Sequence, residues 1–288
     1  MYFSMPNFPY KTFVFDLDGT LLNGNNELTS ALRDKLAQLK MQGYKLVIAT
    51  GRTFGEVQEL VKKGEFHAYI CSNAMTIHNE QFQRIKHLTL PEAVLEHLIQ
   101  AAAEQQIYYE LRQNVGPGLV YDKHYPDMVN LLNGAQGNTV TNHEWHARKQ
   151  IVQTLQSLQQ KDLKKAVKVY FFHPDAEKML AWREELVQLI AESPISIESS
   201  SINSCEIVHE QASKGLGLQQ LVALGFTKQE EILCFGDSFN DVSMFQYAAY
   251  SVAMKNANDA LKQIADENTA YTNDENGVLH WLVEHMKE

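Results

Sequence analysis

The chain has 288 residues, with 25 Lys and Arg against 35 Asp and Glu and a net charge of −10. That length predicts a core plus a second domain, while an acidic balance without any basic block excludes an electrostatic nucleic-acid footprint and does not favour anionic membranes. No apolar run approaches the roughly 20 residues of a spanning helix, the opening MYFSMPNFPYK lacks the basic and apolar regions of a leader, and Cys71, Cys205 and Cys234 read as reduced thiols, so a cytoplasmic protein is expected.

Phe13, Val14 and Phe15 predict the end of a buried strand, and Gly19-Thr20 the turn that closes it, which leaves Asp16 and Asp18 at a strand's carboxyl end. SALRDKLAQLKMQG has helical apolar spacing and stops at Gly43. YKLVIAT then predicts a second buried strand, TFGEVQELVKKG a second helix and HAYICS a third strand. Residues 12–72 thus alternate strand and helix, the signature of a parallel sheet with right-handed crossovers. Residues 75–86 predict two short strands about a polar turn, and beyond them the rhythm changes. A helix at 91–104 and strands near 106–111 and 118–121 precede a polar stretch in which GAQGNTVTNHEWHARK reads as the least structured part. KVYFF predicts a strand, 174–191 a helix and 195–208 two short strands, after which helix and strand alternate again. The middle therefore reads as an insert: a core of 1–84 and 200–288 around a domain of 85–199, with Ser199-Ser200-Ser201 small and polar enough for a joint.

Four stretches carry chemistry: FDLDGT, IATGR, SKGLGLQQL and CFGDSFND. All fall at strand ends or helix starts, and in a parallel sheet such points share one edge, where ligands bind. Like charges that close repel unless a cation lies between them. Carboxylates without a nearby His or Cys pair suit a hard cation that keeps several waters, and Mg²⁺ is the usual one. A carboxylate held this way can attack phosphorus, while Lys214 and Thr50 supply the positive charge and hydroxyl that a dianionic phosphoryl group requires. Accelerating phosphate monoester hydrolysis by up to ~10²¹ takes roughly 28 kcal/mol off the barrier, so positioning, metal, fixed charge and a covalent intermediate must act together.

These stretches, in this order, resemble the four motifs of the haloacid dehalogenase superfamily, and an insert of over a hundred residues between the second and third resembles the type-C2 cap of its Cof-like, or IIB, phosphatases. The resemblance implies an α/β fold, a Rossmann-like parallel-sheet core with an inserted α+β cap domain. It implies Asp16 as the nucleophile that becomes aspartyl-phosphate and Asp18 as general acid and base. Mg²⁺ would be held by Asp16, the main-chain carbonyl of Asp18 and Asp237. Phosphate would be gripped by the Leu17 amide, Thr50, Gly51, Lys214 and Asn240, with Asp241 steadying Lys214 or metal-bound water. One place departs from the pattern: the third strand ends in Ser72-Asn73-Ala74 where the branch has Asn-Gly, so a turn needing positive φ there is less comfortable.

Each residue also has a blander reading. A lone DxD is usually a turn, a lone helix-start lysine is usually solvated, and Thr50 alone would be an N-cap. His143 and His146 of HEWH lack a third ligand for zinc, and the aromatics of the insert, Tyr108 to Phe172, read mostly as its core. The leading expectation is a Mg²⁺-dependent phosphatase acting on a small phosphorylated metabolite, a sugar phosphate or related compound, as a monomer or weak homodimer. A phosphomutase of the same superfamily and a non-catalytic phospho-ligand sensor are the alternatives, the sensor predicting loss of Asp16 or Asp18.

Overall fold

The computed structural model describes residues 8–286, so most of the opening segment read above as carrying no leader lies outside the described residues. β1 (Thr12–Phe15) is wholly buried and runs into a tight turn over 17–21, then α1 (Ser30–Met41). Thr29 caps α1 by accepting from the Leu32 amide, and Leu32, Leu36 and Leu39 bury one stripe. β2 (Lys45–Ala49), α2 (Phe54–Leu60) and β3 (Ala68–Cys71) continue the alternation, a Thr53–Glu56 capping box starting α2. β4 (Thr76–Asn79) and β5 (Arg84–His87) then pair antiparallel.

The chain next builds α3 (Glu92–Glu104), β6 (Tyr108–Gln113), β7 (Leu119–Val120), α4 (Tyr125–Asn133) and α5 (Asn142–Val152). β8 (Gln156–Ser157), α6 (Gln160–Leu163), β9 (Ala166–Phe172), α7 (Ala176–Leu189), β10 (Ile195–Ser201) and β11 (Ser204–His209) follow. It closes with α8 (Lys214–Ala223), β12 (Ile232–Gly236), α9 (Val242–Tyr247), β13 (Tyr250–Ala253), α10 (Asp259–Ile264), β14 (Glu267–Asn268) and α11 (Gly277–His285).

Two compact units result, one of residues 88–211 and one of the remainder. The larger holds an eight-stranded sheet, β14-β13-β12-β1-β2-β3-β4-β5, parallel from β14 to β3. Its central parallel strands, β12, β1, β2 and β3, are almost continuously apolar, as burial on both faces demands. The smaller holds a six-stranded sheet, β10-β11-β9-β6-β7-β8, antiparallel except for β7 with β8. The α/β fold with an inserted α+β unit is thus as expected.

Three expectations need correction. GAQGNTVTNHEWHARK is not unstructured: Thr141 accepts from the Glu144 amide and starts α5, which buries only Trp145 and Val152 and so shows little apolar period. His143 and His146 lie exposed on that helix. The polar stretch before it contains α4, started by Pro126 in its first turn. Ser199–Ser201, expected as a joint, is part of β10 and pairs with β11, so the 199/200 boundary falls inside a hairpin and the compact units divide at 211/212 instead. No described helix is long and apolar enough to cross a membrane.

Candidate active site

Strand register sets out the site. Phe15 of β1 lies opposite Ile48 of β2 and Phe235 of β12, so Asp16, Thr50 and Asp237 leave neighbouring parallel strands at one carboxyl edge. The Asp16 amide still donates to the Phe235 carbonyl at 3.0 Å and the Thr50 amide to the Ile70 carbonyl at 2.9 Å, which ties both residues to the sheet. Leu17 follows, wholly buried.

Lys214 arrives from the first position of α8, where Ser213 accepts from the Leu216 amide at 3.2 Å. Gly215 lets α8 press against α9, since a Cβ there would lie 2.3 Å from the Ser243 carbonyl oxygen. That approach carries Lys214 inward until it is fully buried. Its Nζ lies 2.6 Å from Oδ1 of Asp16 and 2.6 Å from Oδ1 of Asp241. The second oxygen of Asp241 accepts from the amides of Asp237 at 2.9 Å and Ser238 at 3.0 Å, so Asp241 braces both the lysine and the loop after β12. Thr20 donates to Asp237 Oδ1 at 3.3 Å. Between them Gly19 sits at φ +75°, and a Cβ on it would lie 2.3 Å from Asp237 Oδ2, so only glycine admits this approach.

Oxygens of Asp16, Asp237 and Asp241 all lie within 4.8 Å of one another. Burial raises the Asp16 carboxyl well above the ordinary range; Lys214 opposes that shift, and Asp241 and Asp237 add to it. Burial and then Asp241 push Asp237 up to about 6. For Lys214, burial would favour the neutral amine, but Asp16 and Asp241 outweigh it and hold the ammonium above its usual range. One ammonium therefore faces three crowded carboxylates. An all-oxygen donor set with negative charge to spare fits a hard divalent cation. Asp16 and Asp237 are the side chains that could hold such an ion, because Asp241 already commits both oxygens.

Asn240 donates to Asn73 Oδ1 at 3.3 Å, and a Cβ on Gly51 would lie 3.6 Å from both side chains, so Gly51, Asn73 and Asn240 form one wall. The Asn73 amide also donates to the Thr50 carbonyl at 3.0 Å. Ser72, Asn73 and Ala74 have φ of +48°, +53° and +77°, so the turn does demand left-handed backbone and Ala74 takes a position suited to glycine. Asp18 stands apart from the buried cluster: its side chain is half exposed, and Arg52 grips it. The sequence reading missed the partners Thr20, Asn26, Arg52 and Asn73. Thr20, Arg52 and Asn73 lie in or beside the quoted motifs, whereas Asn26 sits in a polar loop that gives no signal.

A family model described as haloacid dehalogenase-like hydrolase matches residues 13–282. The 5-amino-6-(5-phospho-D-ribitylamino)uracil phosphatase YitU of Bacillus subtilis is 28% identical over 282 residues, covering 96% of this chain and 98% of its own. A haloacid dehalogenase-like hydrolase from Bacteroides thetaiotaomicron superposes with a TM-score of 0.77 at 26% identity, covering 96% of this chain and 99% of its own. The subclass IIB sugar phosphatase BT4131 shares the fold, with a TM-score of 0.71 at 19% identity over 95% and 98% of the two chains.

Proposed function

Because this chain belongs to the haloacid dehalogenase-like hydrolase family, we propose that it is a phosphatase that hydrolyses phosphate monoesters of small metabolites through a phosphorylated Asp16. The observation that carries this reading is a buried carboxylate at the end of β1, held 2.6 Å from a buried ammonium among two further carboxylates. Asp16 attacks phosphorus with the oxygen not bonded to Lys214. Lys214 offsets the charge of the phosphoryl group, and the Leu17 and Gly51 amides, the Thr50 hydroxyl and Asn240 donate to its oxygens. Asp18 gives a proton to the leaving oxygen and takes one back from the water that releases phosphate. Asp16, the main-chain carbonyl of Asp18 and Asp237 would hold Mg²⁺, which when bound screens the repulsion between the nucleophile and a dianionic ester.

The names of the relatives support the substrate class: one is a phosphatase for a phosphoribitylamino-uracil and another a sugar phosphatase. In this reading residues 88–211 are the cap domain, and three buried free thiols favour a reducing cytoplasm. The test is phosphate release from a panel of phosphorylated metabolites with Mg²⁺, comparing wild type with Asp16→Asn beside their melting curves. The amide keeps the shape but is no longer a nucleophile, so turnover should vanish with the fold intact; activity above about a hundredth of wild type removes Asp16 from its role.

A further inference from the structure

Resting on that reading, we propose that Arg52 is the positioning residue for the proton-transfer step, a clamp that fixes the Asp18 carboxylate for its exchange with the leaving oxygen and water. Arg52 Nε donates to Asp18 Oδ2 at 2.8 Å and Nη2 to Oδ1 at 2.5 Å, a two-pronged pairing of planar groups. The same Nη2 donates to Asn26 Oδ1 at 2.8 Å, and Asn26 itself sits at φ +60°. The root of the clamp is rigid: the Arg52 amide donates to Thr50 Oγ1 at 3.1 Å and its carbonyl accepts from Ser72 at 2.8 Å. Three segments, those of Asn26, Thr50 and Ser72, thus hold Arg52, which among the described residues is the one hydrogen-bonding partner of an Asp18 carboxylate that is 52% exposed. Without Arg52, Asp18 would turn freely in water.

The chemistry defines what such a clamp does. An Asp16 oxygen bonds to phosphorus as the bond to the leaving oxygen breaks, and Asp18 gives its proton to that oxygen. Water then bonds to phosphorus as the Asp16 oxygen leaves, and its proton returns to Asp18. Proton delivery matters most when the leaving alkoxide is a poor one, so a misplaced Asp18 should slow alkyl phosphates far more than aryl phosphates. A group that grips phosphate would instead affect both alike.

The test is steady-state kinetics on a simple alkyl phosphate and on p-nitrophenyl phosphate for wild type, Arg52→Met, Asp18→Asn and the double variant, with Arg52→Lys as a second variant should Met disturb folding. Arg52→Met should lower kcat on the alkyl ester by about 10- to 100-fold and on the aryl ester by less than about threefold, with KM little changed. Arg52→Lys, a point charge without the fork, should fall between. In the Asp18→Asn background, loss of Arg52 should cost almost nothing more. Equal losses on both esters, a rise in KM alone, or additive losses in the double variant would overturn the clamp while leaving the phosphatase reading intact. No phosphate release by the wild type from any ester would remove both.

Discussion

Replacing Lys214 by methionine should destabilise the protein as well as silence it. At 2.6 Å and an effective dielectric of about 20, each of its two contacts is worth roughly 6 kcal/mol before desolvation. Burying the ammonium and the two carboxylates costs several kcal/mol per ion, so much of that gross attraction is offset. What remains on truncation is the cost of leaving Asp16 and Asp241 facing each other unpaired, about 3–5 kcal/mol for a buried pair that loses one partner. At roughly 2–4 °C per kcal/mol for a unit of this size, melting should fall by about 10 °C at pH 7 in chelator. Urea midpoints give the same quantity isothermally. The loss should shrink as pH falls, because Asp16, already raised by burial, takes up a proton more readily once the neighbouring ammonium is gone. Combining Lys214→Met with Asp241→Asn should recover part of it, since one of the stranded charges is gone. A loss below about 1 kcal/mol at pH 7 would refute the claim that this ammonium is the buried counter-ion.

Chelation should abolish phosphate release, Mg²⁺ should restore it, and Ca²⁺ should restore it poorly, because Mg²⁺ enforces ligands at about 2.0–2.1 Å whereas the larger ion admits extra ligands; full activity in EDTA contradicts the proposal. Asp237, at about 6, lies above its usual value, so the folded chain binds more protons than the unfolded one between about pH 4 and 6, and cation-free stability should fall as pH climbs through that window, by at most about 3 kcal/mol. Asp237→Asn should flatten that part of the urea-midpoint profile, and an unchanged slope would show that the proton resides elsewhere. Gly215→Ala sets a methyl 2.3 Å from a backbone carbonyl, so α8 must shift; a loss of about 1–3 kcal/mol and weaker phosphate release are expected, and a variant matching wild type in both would show that Lys214 is not placed by this contact.

The parallel centre of the larger sheet was legible because β1, β2, β3 and β12 are apolar runs closed by turn residues, and the four motifs bring Asp16, Thr50, Lys214 and Asp237 to one edge of it. The left-handed demand at Ala74 was legible too, as the place where glycine was missing. α5 was not, because a helix that buries only Trp145 and Val152 has no apolar stripe to read. β7 and β8, two residues each, are too short to show alternation. The grip of Arg52 on Asp18 escaped for another reason: spacing brings two residues to one edge, but the choice of partner is made by side-chain rotamers and by Asn26, which arrives from a loop without pattern.

The order of the strands also governs how the molecule is made. Thr12 pairs with Lys45 on one side but with Ile232 on the other, some 220 residues later in synthesis. At roughly 5–20 residues per second a nascent chain emerges for about 11–44 s with one flank of a strand that is wholly buried in the finished fold left bare. Residues 88–211 can complete their own sheet in that interval, while the larger one waits for β12. Asp16 and Lys214 lie 198 positions apart, so an unfinished chain that stops before α8 exposes a sticky edge and contains no site. Hydrolytic competence therefore appears in a single late event, when α8 and β12 dock and seal the strand that was made first.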